Sequence, residues 1–454
     1  MSNSTVLTQD LQNNPRSSQV PAGVESPGKV AYIMSRFPKI TETFILYEIL
    51  ALEEFGIPVE VYPLLREYQP VTHPEAERLV QRAHFHPFIS VPILHAQWHF
   101  IRRRPLAYFR LWAEVLGGTW GSAKFFVGAL GIFPKAVRFA YEMKRQGITH
   151  VHAHFASHPA LAAFIIHRLT GIPFSFTAHG SDLHVERRML DKKVAAAAFA
   201  VTISSYNNEV MVEECGEAAR NKIHIIHCGV DTSVFSPHRR SLAQSPFQIL
   251  CVASFEEVKG HKYLIEACQL LRDRGVDFVC HLVGDGPLRP EIEAQITAAG
   301  LLDQVRLHGG VPRADVVRML AEADVMALAS VPTRSGKREG IPVVLMEAMA
   351  SGLPVVTSAI SGIPELVDSG CGLLALPGDA TALADGLLKL KEDAKLRDRM
   401  GHAGRERVLR EFDLRINTAA LAKLFHPSSQ MDAARDVPGG VDMGQGREPR
   451  SLYG

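Results

Sequence analysis

The sequence predicts an α/β protein made of two doubly wound domains, each built on a parallel sheet. Twelve short β-branched runs alternate with helical patterns, and they divide evenly around a segment at 229–246 that holds Gly229, Asp231, Pro237 and Pro246. Most runs are continuously apolar, which is typical of strands buried on both faces under helices. The length of 454 residues and an apolar fraction of 46% suit two or three globular domains.

Six of the predicted strands belong to an N-terminal domain over 29–228 and six to a C-terminal domain over 247–412. The first six are Lys29–Phe37, Pro58–Leu65, Thr149–Phe155, Pro173–Ala178, Phe199–Ser204 and Lys222–His227. The second six are Phe247–Ala253, Asp277–Val283, Gln304–His308, Asp324–Ala329, Pro354–Ser358 and Gly372–Leu376. Because ligands of such sheets bind beyond the carboxyl ends of the strands, two facing domains predict a binding cleft between them.

The intervening segments carry apolar residues at three- and four-residue spacing, which predicts helices. The clearest are Glu42–Phe55, Pro159–Thr170, His261–Arg274, Ile341–Ala350 and Ala380–Leu390. A last helix is expected over 413–426, packing back on the N-terminal domain. Residues 1–28 and 427–454 are polar and aperiodic, and we expect them to be disordered tails.

Charge and cysteine content exclude several classes of protein. The 49 basic and 48 acidic residues leave a net charge of +1, which argues against a nucleic-acid partner. The six cysteines form no CxxC pair, and this favours buried thiols in a reducing compartment over disulfides or zinc. A polar N-terminus and the lack of an 18-residue apolar run predict a cytoplasmic protein without signal peptide or spanning helix.

The segment 93–147 differs from the rest of the chain. It is rich in aromatic residues and holds nine lysines and arginines against two glutamates. Such a basic, aromatic, helix-compatible segment predicts peripheral contact with an anionic membrane. The alternative is a helical insertion that covers the first sheet and exposes a solvated basic face.

The most informative stretch begins at Glu339 and reaches Glu347 eight residues later. Pro342 suits the first position of a helix, which leaves the amides of Val343 and Val344 free to bind phosphate. The two carboxylates would then touch different parts of one extended ligand, and a sugar nucleotide fits that description. A capped helix with a solvated face is the alternative.

Two further segments follow strands of the C-terminal domain. Lys259 opens a helix where strand ends converge, so it can neutralise a diphosphate, although a surface lysine would look the same. Gly284-Asp285-Gly286 permits close approach of the backbone to a ligand. It is not a GxGxxG motif, and NAD binding is therefore poorly supported.

Histidines cluster in the N-terminal domain. His150, His152 and His154 share one face of a predicted strand, while His179 and Asp182 follow the next one. Neighbouring groups readily satisfy alternating histidines, so we predict no metal site here. His179 would lie at the edge of the cleft as a catalytic or substrate-binding group. The chain lacks GxSxG, Walker and HExxH motifs, which excludes the corresponding hydrolases.

Together these motifs resemble the family-4 retaining glycosyltransferases of the GT-B fold, over roughly Lys29–Phe425. The most specific element is the E-x7-E motif within EGIPVVLMEAMASGLPVV, and KG, VGDGP, CGVD and SGIPE segments support it. The stretches SRFPKITETFILYEILAL and HVHAHFASHPALAAFIIHRLTGIPFSFTAHGSDL resemble the branch that builds exopolysaccharides of the colanic-acid type.

The resemblance implies a role for each matching residue. Glu347 would bind the ribose, Glu339 the hydroxyls of the donor sugar and Lys259 the diphosphate, with His179 against the sugar. Catalysis would rest on His179, Glu339 and Lys259. The remaining donor contacts would be Ser254, Gly284, Gly340, Ile341, Pro342, Val343 and Val344. The acceptor contacts would come from Arg36, Glu42, His154 and Asp182.

Two departures from the family pattern stand out. Ser254 occupies the position of a usual arginine, so one phosphate-binding cation is missing or is replaced by Arg334, Lys337 or Arg338. The segment 35–38 replaces the glycine-rich turn that commonly follows the first strand.

The activity implied is transfer of a hexose, with retention, from a UDP- or GDP-sugar to a lipid-linked oligosaccharide or polysaccharide precursor. The nucleotide sugar is a co-substrate, and neither a cofactor nor a metal is expected. A peripheral position on the inner face of the cell membrane follows from the segment 93–147. The alternatives are a transferase with a small soluble acceptor and an inactive nucleotide-sugar-binding scaffold of a polysaccharide assembly.

Overall fold

The computed structural model describes residues 28–39, 42–68, 74–237 and 246–425, and in them two six-stranded parallel sheets form the centres of two α/β domains. The first sheet has the order β2-β1-β3-β4-β5-β6 and the second β12-β11-β10-β7-β8-β9. The strands are β1 (Lys29–Phe37), β2 (Val59–Arg66), β3 (Ile148–His154), β4 (Phe174–Ala178), β5 (Phe199–Thr202), β6 (Ile223–Ile225), β7 (Phe247–Val252), β8 (Phe278–Val283), β9 (Val305–Gly309), β10 (Val325–Leu328), β11 (Val355–Ser358) and β12 (Gly372–Ala375).

Helices cover both sheets. In the N-terminal half they are α1 (Thr43–Glu54), α2 (Pro74–Arg82), α3 (Val91–Arg103), α4 (Pro105–Thr119), α5 (Ala123–Gln146), α6 (His158–Thr170), α7 (Ser181–His184), α8 (Leu190–Ala196) and α9 (Ser205–Cys215). In the C-terminal half they are α10 (His261–Asp273), α11 (Arg289–Ala298), α12 (Arg313–Glu322), α13 (Val343–Ala350), α14 (Ile363–Leu366), α15 (Ala380–Glu392), α16 (Ala394–Glu411) and α17 (Leu414–Leu424).

The predicted fold class is confirmed, and each of the twelve predicted strands coincides with an observed one to within two residues at either end. The reason is visible in β1, where successive residues alternate between two apolar clusters. Ala31 and Ile33 face one cluster, and Tyr32 and Met34 face the other. A strand buried on both faces has no polar face, and its sequence is accordingly apolar throughout.

The order of the strands in each sheet indicates where the cleft lies. In the second sheet the strand order reverses between β7 and β10, which are neighbours, and in the first sheet it reverses between β1 and β3. Ligands of doubly wound sheets bind at such reversal points, beyond the carboxyl ends of the strands. The loops that follow β1, β3, β7 and β10 are therefore the ones to inspect for chemistry.

The chain crosses between the domains twice, and the two crossings are hydrogen-bonded to each other. The N–H of Val230 donates to the carbonyl of Phe412, and the N–H of Leu414 donates to the carbonyl of Val230. The helix α17 that follows packs on α1, and Leu421 and Phe425 are buried in an apolar cluster of the N-terminal domain. The predicted tails, apart from Gly28, and the middle of the predicted linker lie outside the described residues.

The basic, aromatic segment forms α3, α4 and α5, which pack on one another. Lys135 differs from the expectation of a solvated basic face, because it is buried and its ammonium donates to the carbonyl of Leu64. Seven other basic residues are exposed, at Arg102, Arg103, Arg104, Arg110, Lys124, Lys144 and Arg145. Several large apolar side chains are exposed with them, at Leu94, Trp98, Leu106, Phe109, Trp120 and Val127.

None of the helices in the described ranges combines the length and the apolar character that crossing a bilayer requires. The six cysteines are free thiols, and Cys251, Cys268, Cys280 and Cys371 are buried.

Candidate functional site

The segment that leads into α13 lies directly against the N-terminal domain. The helix begins at Val343, one residue later than expected, with Pro342 at its N-cap and no side-chain cap. A methyl group added to Gly340 would lie 2.4 Å from the carbonyl oxygen of His179, so only glycine allows this approach. The structure therefore brings the segment 339–344 and His179 together at the boundary of the two domains, where the sequence placed the cleft.

Lys259 and Glu339 form an ion pair in this cleft. The Nζ atom of Lys259 lies 2.7 Å from Oε2 of Glu339, and both side chains are largely shielded from solvent. Lys259 is fixed by the following Gly260, whose φ of +66° places its backbone against the carbonyl of Ala329 at the end of β10. Two residues far apart in the sequence thus meet at the reversal point of the second sheet.

Glu347 points from the next turns of α13 into a partly buried site beside Arg313. Burial raises the pKa of Glu347 to about 7, while the nearby Arg313 guanidinium lowers it. Arg313 begins α12 and stacks over the ring of Tyr47, 4.1 Å from its centroid, across the domain boundary. Sequence reasoning missed Arg313, which belongs to no quoted motif, and it assigned no role to Tyr47 within the stretch SRFPKITETFILYEILAL.

The other predicted donor residues line the same region. Gly284 has a φ of +140°, and a methyl group there would lie 2.0 Å from the carbonyl oxygen of Ala253, immediately before Ser254. Ser254 is partly exposed between β7 and Lys259. Of the three cations suggested as substitutes for a missing arginine, Lys337 is 2.6 Å from Glu256.

The other two cations differ in their surroundings. Arg338 is 3.1 Å from the hydroxyl of Tyr206 in the N-terminal domain, and Arg334 is exposed. Glu256 links Lys337 to the Lys259 region, because the hydrogen bond from Lys337 and the charges of both lysines lower the pKa of its carboxyl.

His179 is only 8% exposed, and both of its ring nitrogens face into the N-terminal domain. Nε2 lies 3.0 Å from Nδ1 of His154, and Nδ1 lies 3.7 Å from Sγ of Cys228. Burial, and secondarily the charge of His154, lowers the pKa of His179 well below its usual value. The residue is thus a neutral imidazole whose backbone, rather than its ring nitrogens, faces Gly340.

The four predicted acceptor residues all have polar partners within the N-terminal domain, and two of them, His154 and Asp182, both contact His179. Arg36 is exposed and pairs with Glu67, whereas Glu42 pairs with Lys39. His154 is fully buried. These contacts leave the acceptor roles as predictions.

Asp182 shapes the loop that carries His179. One of its carboxylate oxygens accepts from the N–H groups of His179 and Gly180, and the other accepts from the N–H of Ala156. Burial raises the pKa of Asp182, and these backbone donors oppose that rise. Its visible role is therefore to hold the loop.

Glu365 connects the domains, and sequence reasoning assigned it no role. Its two carboxylate oxygens accept from the N–H groups of Ser205 and Tyr206, at 2.8 and 2.9 Å. These donors begin α9, so the carboxylate also sits at the positive end of a helix dipole. The SGIPE segment was a signal for this residue, but its partner in the other domain lies 160 residues away.

One group of described residues has the composition of a metal site. Ligand-type atoms of Glu48, His152 and His154 lie within 4.8 Å of one another. Both nitrogens of His152 already lie within hydrogen-bond distance of hydroxyls, those of Ser175 and Thr177. The site is better described as a satisfied polar network than as a set of open ligands.

Two family descriptions match the chain, one in each domain. Residues 236–407 match "Glycosyl transferases group 1", and residues 120–234 match "Glycosyltransferase Family 4". Both motif glutamates and Lys259 lie within the first range, and His179 lies within the second.

Two relatives carry related names. The amylovoran biosynthesis glycosyltransferase AmsK of Erwinia amylovora is 40% identical over 205 residues, which is 45% of this chain and only half of that protein. The putative colanic acid biosynthesis glycosyltransferase WcaL of Salmonella typhimurium is 30% identical over 425 residues, covering 87% of this chain and 99% of the relative. The second alignment therefore spans both domains.

The fold is shared with solved structures, among them a glycosyltransferase from Rickettsia africae with a TM-score of 0.66, 16% identity, and coverage of 90% of this chain and 99% of that one. Others share it as well. One is Anabaena Alr3699/HepE in complex with UDP-glucose, with a TM-score of 0.63, 16% identity, and coverage of 87% of this chain and 98% of that one. At that identity the likeness concerns the fold alone, and it confirms the predicted GT-B arrangement of two domains.

Proposed function

This chain belongs to the group 1 and family 4 glycosyltransferases, and we propose that it transfers a hexose from a UDP- or GDP-sugar to a lipid-linked oligosaccharide or polysaccharide precursor in exopolysaccharide biosynthesis. The observation that carries the proposal is the convergence of Lys259, Glu339 and the uncapped start of α13 at one point of the cleft. A cation and free helix amides suit a diphosphate, and a neighbouring carboxylate suits sugar hydroxyls. The names of the two relatives support the exopolysaccharide context.

The donor would lie along α13. Its ribose would reach Glu347, its diphosphate would lie between Lys259 and the amides of Val343 and Val344, and its sugar would lie between Glu339 and the wall formed by His179. The UDP-glucose in the fold relative supports a donor of this class. Because the pKa of Glu347 is about 7, its carboxylate is partly ionised at neutral pH and can accept from ribose hydroxyls.

The reaction would proceed by substitution at the anomeric carbon with retention. The bond from that carbon to the diphosphate oxygen breaks, and the acceptor hydroxyl attacks from the same face to form the new glycosidic bond. The proton of the hydroxyl passes to the departing phosphate oxygen. Lys259 and the amides at the start of α13 would stabilise the charge that develops on the diphosphate, and such groups typically contribute about a hundredfold to a thousandfold in turnover. We propose no metal, because these fixed groups can supply the positive charge.

The acceptor would reach the cleft from a membrane surface. The helices α3, α4 and α5 expose large apolar side chains together with arginines, as in Leu106, Phe109 and Arg110 on one face of α4. Exposed apolar groups can enter the headgroup region while the arginines contact anionic lipid. This supports a cytoplasmic protein that binds the inner face of the cell membrane and a lipid-linked acceptor.

The alternative of an inactive scaffold draws on Ser254, which supplies no cation where an arginine is usual. Lys337 weakens that alternative, because its charge lies in the same region as Lys259. A small soluble acceptor is the remaining alternative, and membrane binding would disfavour it.

The test is a thermal-shift panel of UDP-, GDP- and ADP-sugars on wild type, Glu347→Ala and Glu392→Ala, an exposed glutamate on α15. A donor at a hundredfold over its dissociation constant adds about 2.7 kcal/mol of stability. We expect one nucleotide to stabilise wild type and Glu392→Ala but not Glu347→Ala. Equal stabilisation of all three proteins would refute the ribose role. Release of free sugar from the bound donor would separate an enzyme from a scaffold.

A further inference from the structure

Behind the wall of the cleft, four side chains of the N-terminal domain form a continuous polar chain that ends at His179. The hydroxyl of Tyr32 on β1 donates to Oε1 of Glu48 on α1, at 2.7 Å. The same oxygen lies 3.1 Å from Nε2 of His154, and Nδ1 of His154 lies 3.0 Å from Nε2 of His179. Tyr32 and His154 have no exposed surface, whereas the side chain of Glu48 is 20% exposed.

The chemistry of the four groups determines which atom donates in each of these hydrogen bonds. A carboxylate only accepts hydrogen bonds, so Nε2 of His154 must carry the proton that faces Glu48. In its neutral form His154 has an acceptor at its other nitrogen, and this nitrogen faces His179. In that form the proton between the two rings belongs to Nε2 of His179. Its Nδ1 is left as an acceptor, with the thiol of Cys228 as the neighbouring donor.

The ring of His179 is also held by packing. The ring centroids of Phe44 and Phe155 lie 4.6 and 4.8 Å from that of His179. The backbone of His179 is tied to Asp182, and its carbonyl oxygen faces Gly340. A change in the orientation of the ring would accordingly move the surface against which the segment 339–344 lies.

We propose that Glu48 and His154 are positioning residues, which fix the tautomer and orientation of His179 and thereby the N-terminal wall of the donor-sugar site. The expected effect on turnover rests on the proposed transferase function, whereas the expected effect on the tautomer of His179 does not. Glu48 acts through two other residues and touches no substrate. It lies on α1, more than a hundred residues before His154, within a stretch that resembles the family but to which the sequence analysis assigned no role for Glu48.

The first experiment reads the tautomers directly, by nitrogen NMR of the full chain labelled in its histidines. The signals of His154 and His179 are assigned with the variants His154→Gln and His179→Gln. In wild type we expect the Nε2–H tautomer for both rings. In Glu48→Gln the new amide can donate as well as accept, so we expect His179 to show the Nδ1–H tautomer as well.

The second experiment measures kinetics on the same variant. We expect kcat of Glu48→Gln to fall at least about tenfold, because a reoriented His179 displaces the wall that holds the donor sugar in position for attack. Its melting temperature is recorded to establish that the variant is folded.

Two controls make the result specific. Tyr32→Phe removes a donor to Glu48 but leaves the carboxylate, so both tautomers should stay as in wild type. Glu60→Gln alters a comparable pair, because Oε2 of Glu60 on β2 lies 3.1 Å from Nε2 of His84, and it should change neither the tautomers nor kcat.

An unchanged tautomer of His179 in Glu48→Gln overturns the proposal, and so does an altered tautomer with wild-type kcat. The NMR measurement needs no donor. If the transferase function failed, the positioning of His179 would still be decided on its own.

Discussion

The ammonium of Lys259 lies 2.7 Å from the carboxylate of Glu339, so the two charges proposed to receive the donor neutralise each other in this structure. The diphosphate would replace Glu339 as the partner of Lys259. Glu339 would then be free to accept from sugar hydroxyls. Each residue therefore keeps the other desolvated and oriented before the donor arrives.

The first prediction follows from this pair. Lys259→Gln should lower kcat by about a hundredfold or more, because it removes a cation from the leaving group. Glu339→Gln should also lower turnover, and the double variant should cost less than the two single losses combined, since contacting residues act as a unit. Steady-state kinetics of the three variants measure this. Arg274→Gln, which breaks the exposed pair with Asp385, should leave turnover unchanged. Strictly additive losses would contradict the coupling.

The second prediction concerns Glu347 and pH. Burial raises its pKa from 4.5 to about 7, so below about pH 4.5 it is protonated in both the folded and the unfolded state. As the pH rises towards 7 the unfolded chain ionises first, and the folded state loses stability relative to it. Glu347→Gln cannot ionise and escapes this loss. Its melting temperature should match wild type at pH 4.5 and exceed it at pH 8.

Thermal denaturation at the two pH values measures the effect. A shift of at least about 2 °C at pH 8 corresponds to about 1 kcal/mol in a domain of this size. Glu392→Gln, an exposed glutamate, should follow wild type at both pH values. If Glu347→Gln unfolds at the same temperature as wild type at pH 8, the pKa of the Glu347 carboxyl is not raised in the folded protein.

The third prediction tests the close approach of the domains. Gly340→Ala introduces a methyl group 2.4 Å from the carbonyl oxygen of His179 and 2.9 Å from Cδ1 of Ile203, which must push the two domains apart. We expect donor binding to weaken and the radius of gyration from small-angle scattering to rise. Gly310→Ala is the matched control, since nothing lies within 4 Å of the added methyl group. Wild-type affinity in Gly340→Ala would show that this contact does not shape the site.

The fourth prediction concerns the membrane. A triple variant with Arg102, Arg103 and Arg104 each replaced by glutamine should bind vesicles of phosphatidylglycerol and phosphatidylcholine at least tenfold more weakly, since each surface arginine contributes about 1 kcal/mol. Wild type should bind pure phosphatidylcholine poorly and lose binding as salt rises. Flotation measures both. The matched control replaces three exposed arginines of the C-terminal domain, Arg306, Arg318 and Arg399. Equal vesicle binding by both triple variants would show that the segment 93–147 does not form the membrane-binding surface.

The features that could be predicted from the sequence are those that depend on a local pattern of residues. The strands were readable because burial on both faces leaves each one apolar, and Glu339, Glu347 and Lys259 were readable because motifs fix their spacing. The roles of Glu48, Arg313 and Glu365 could not be predicted from the sequence. Their roles come from partners brought near by the sheet order and the closure of the domains, such as His154 for Glu48, and no local pattern encodes such a partner.

Burial also could not be read residue by residue. Lys135 looked like one of a basic series, yet it is the member of that series that turns inward to the carbonyl of Leu64. His154 and Asp182 looked like cleft residues because they follow strand ends. Their polar atoms are instead used inside the domain, which only the three-dimensional contacts reveal.

The second crossing of the chain has a consequence for synthesis. Because α17 completes an apolar cluster of the N-terminal domain with Leu421 and Phe425, that domain lacks part of its interior until residues 414–425 have left the ribosome. The C-terminal domain, whose strands are contiguous, can therefore finish folding first, although it is made second. A chain truncated after Phe412 would hold the C-terminal domain beside an unfinished N-terminal domain, with the surface of α1 open to chaperones or to aggregation.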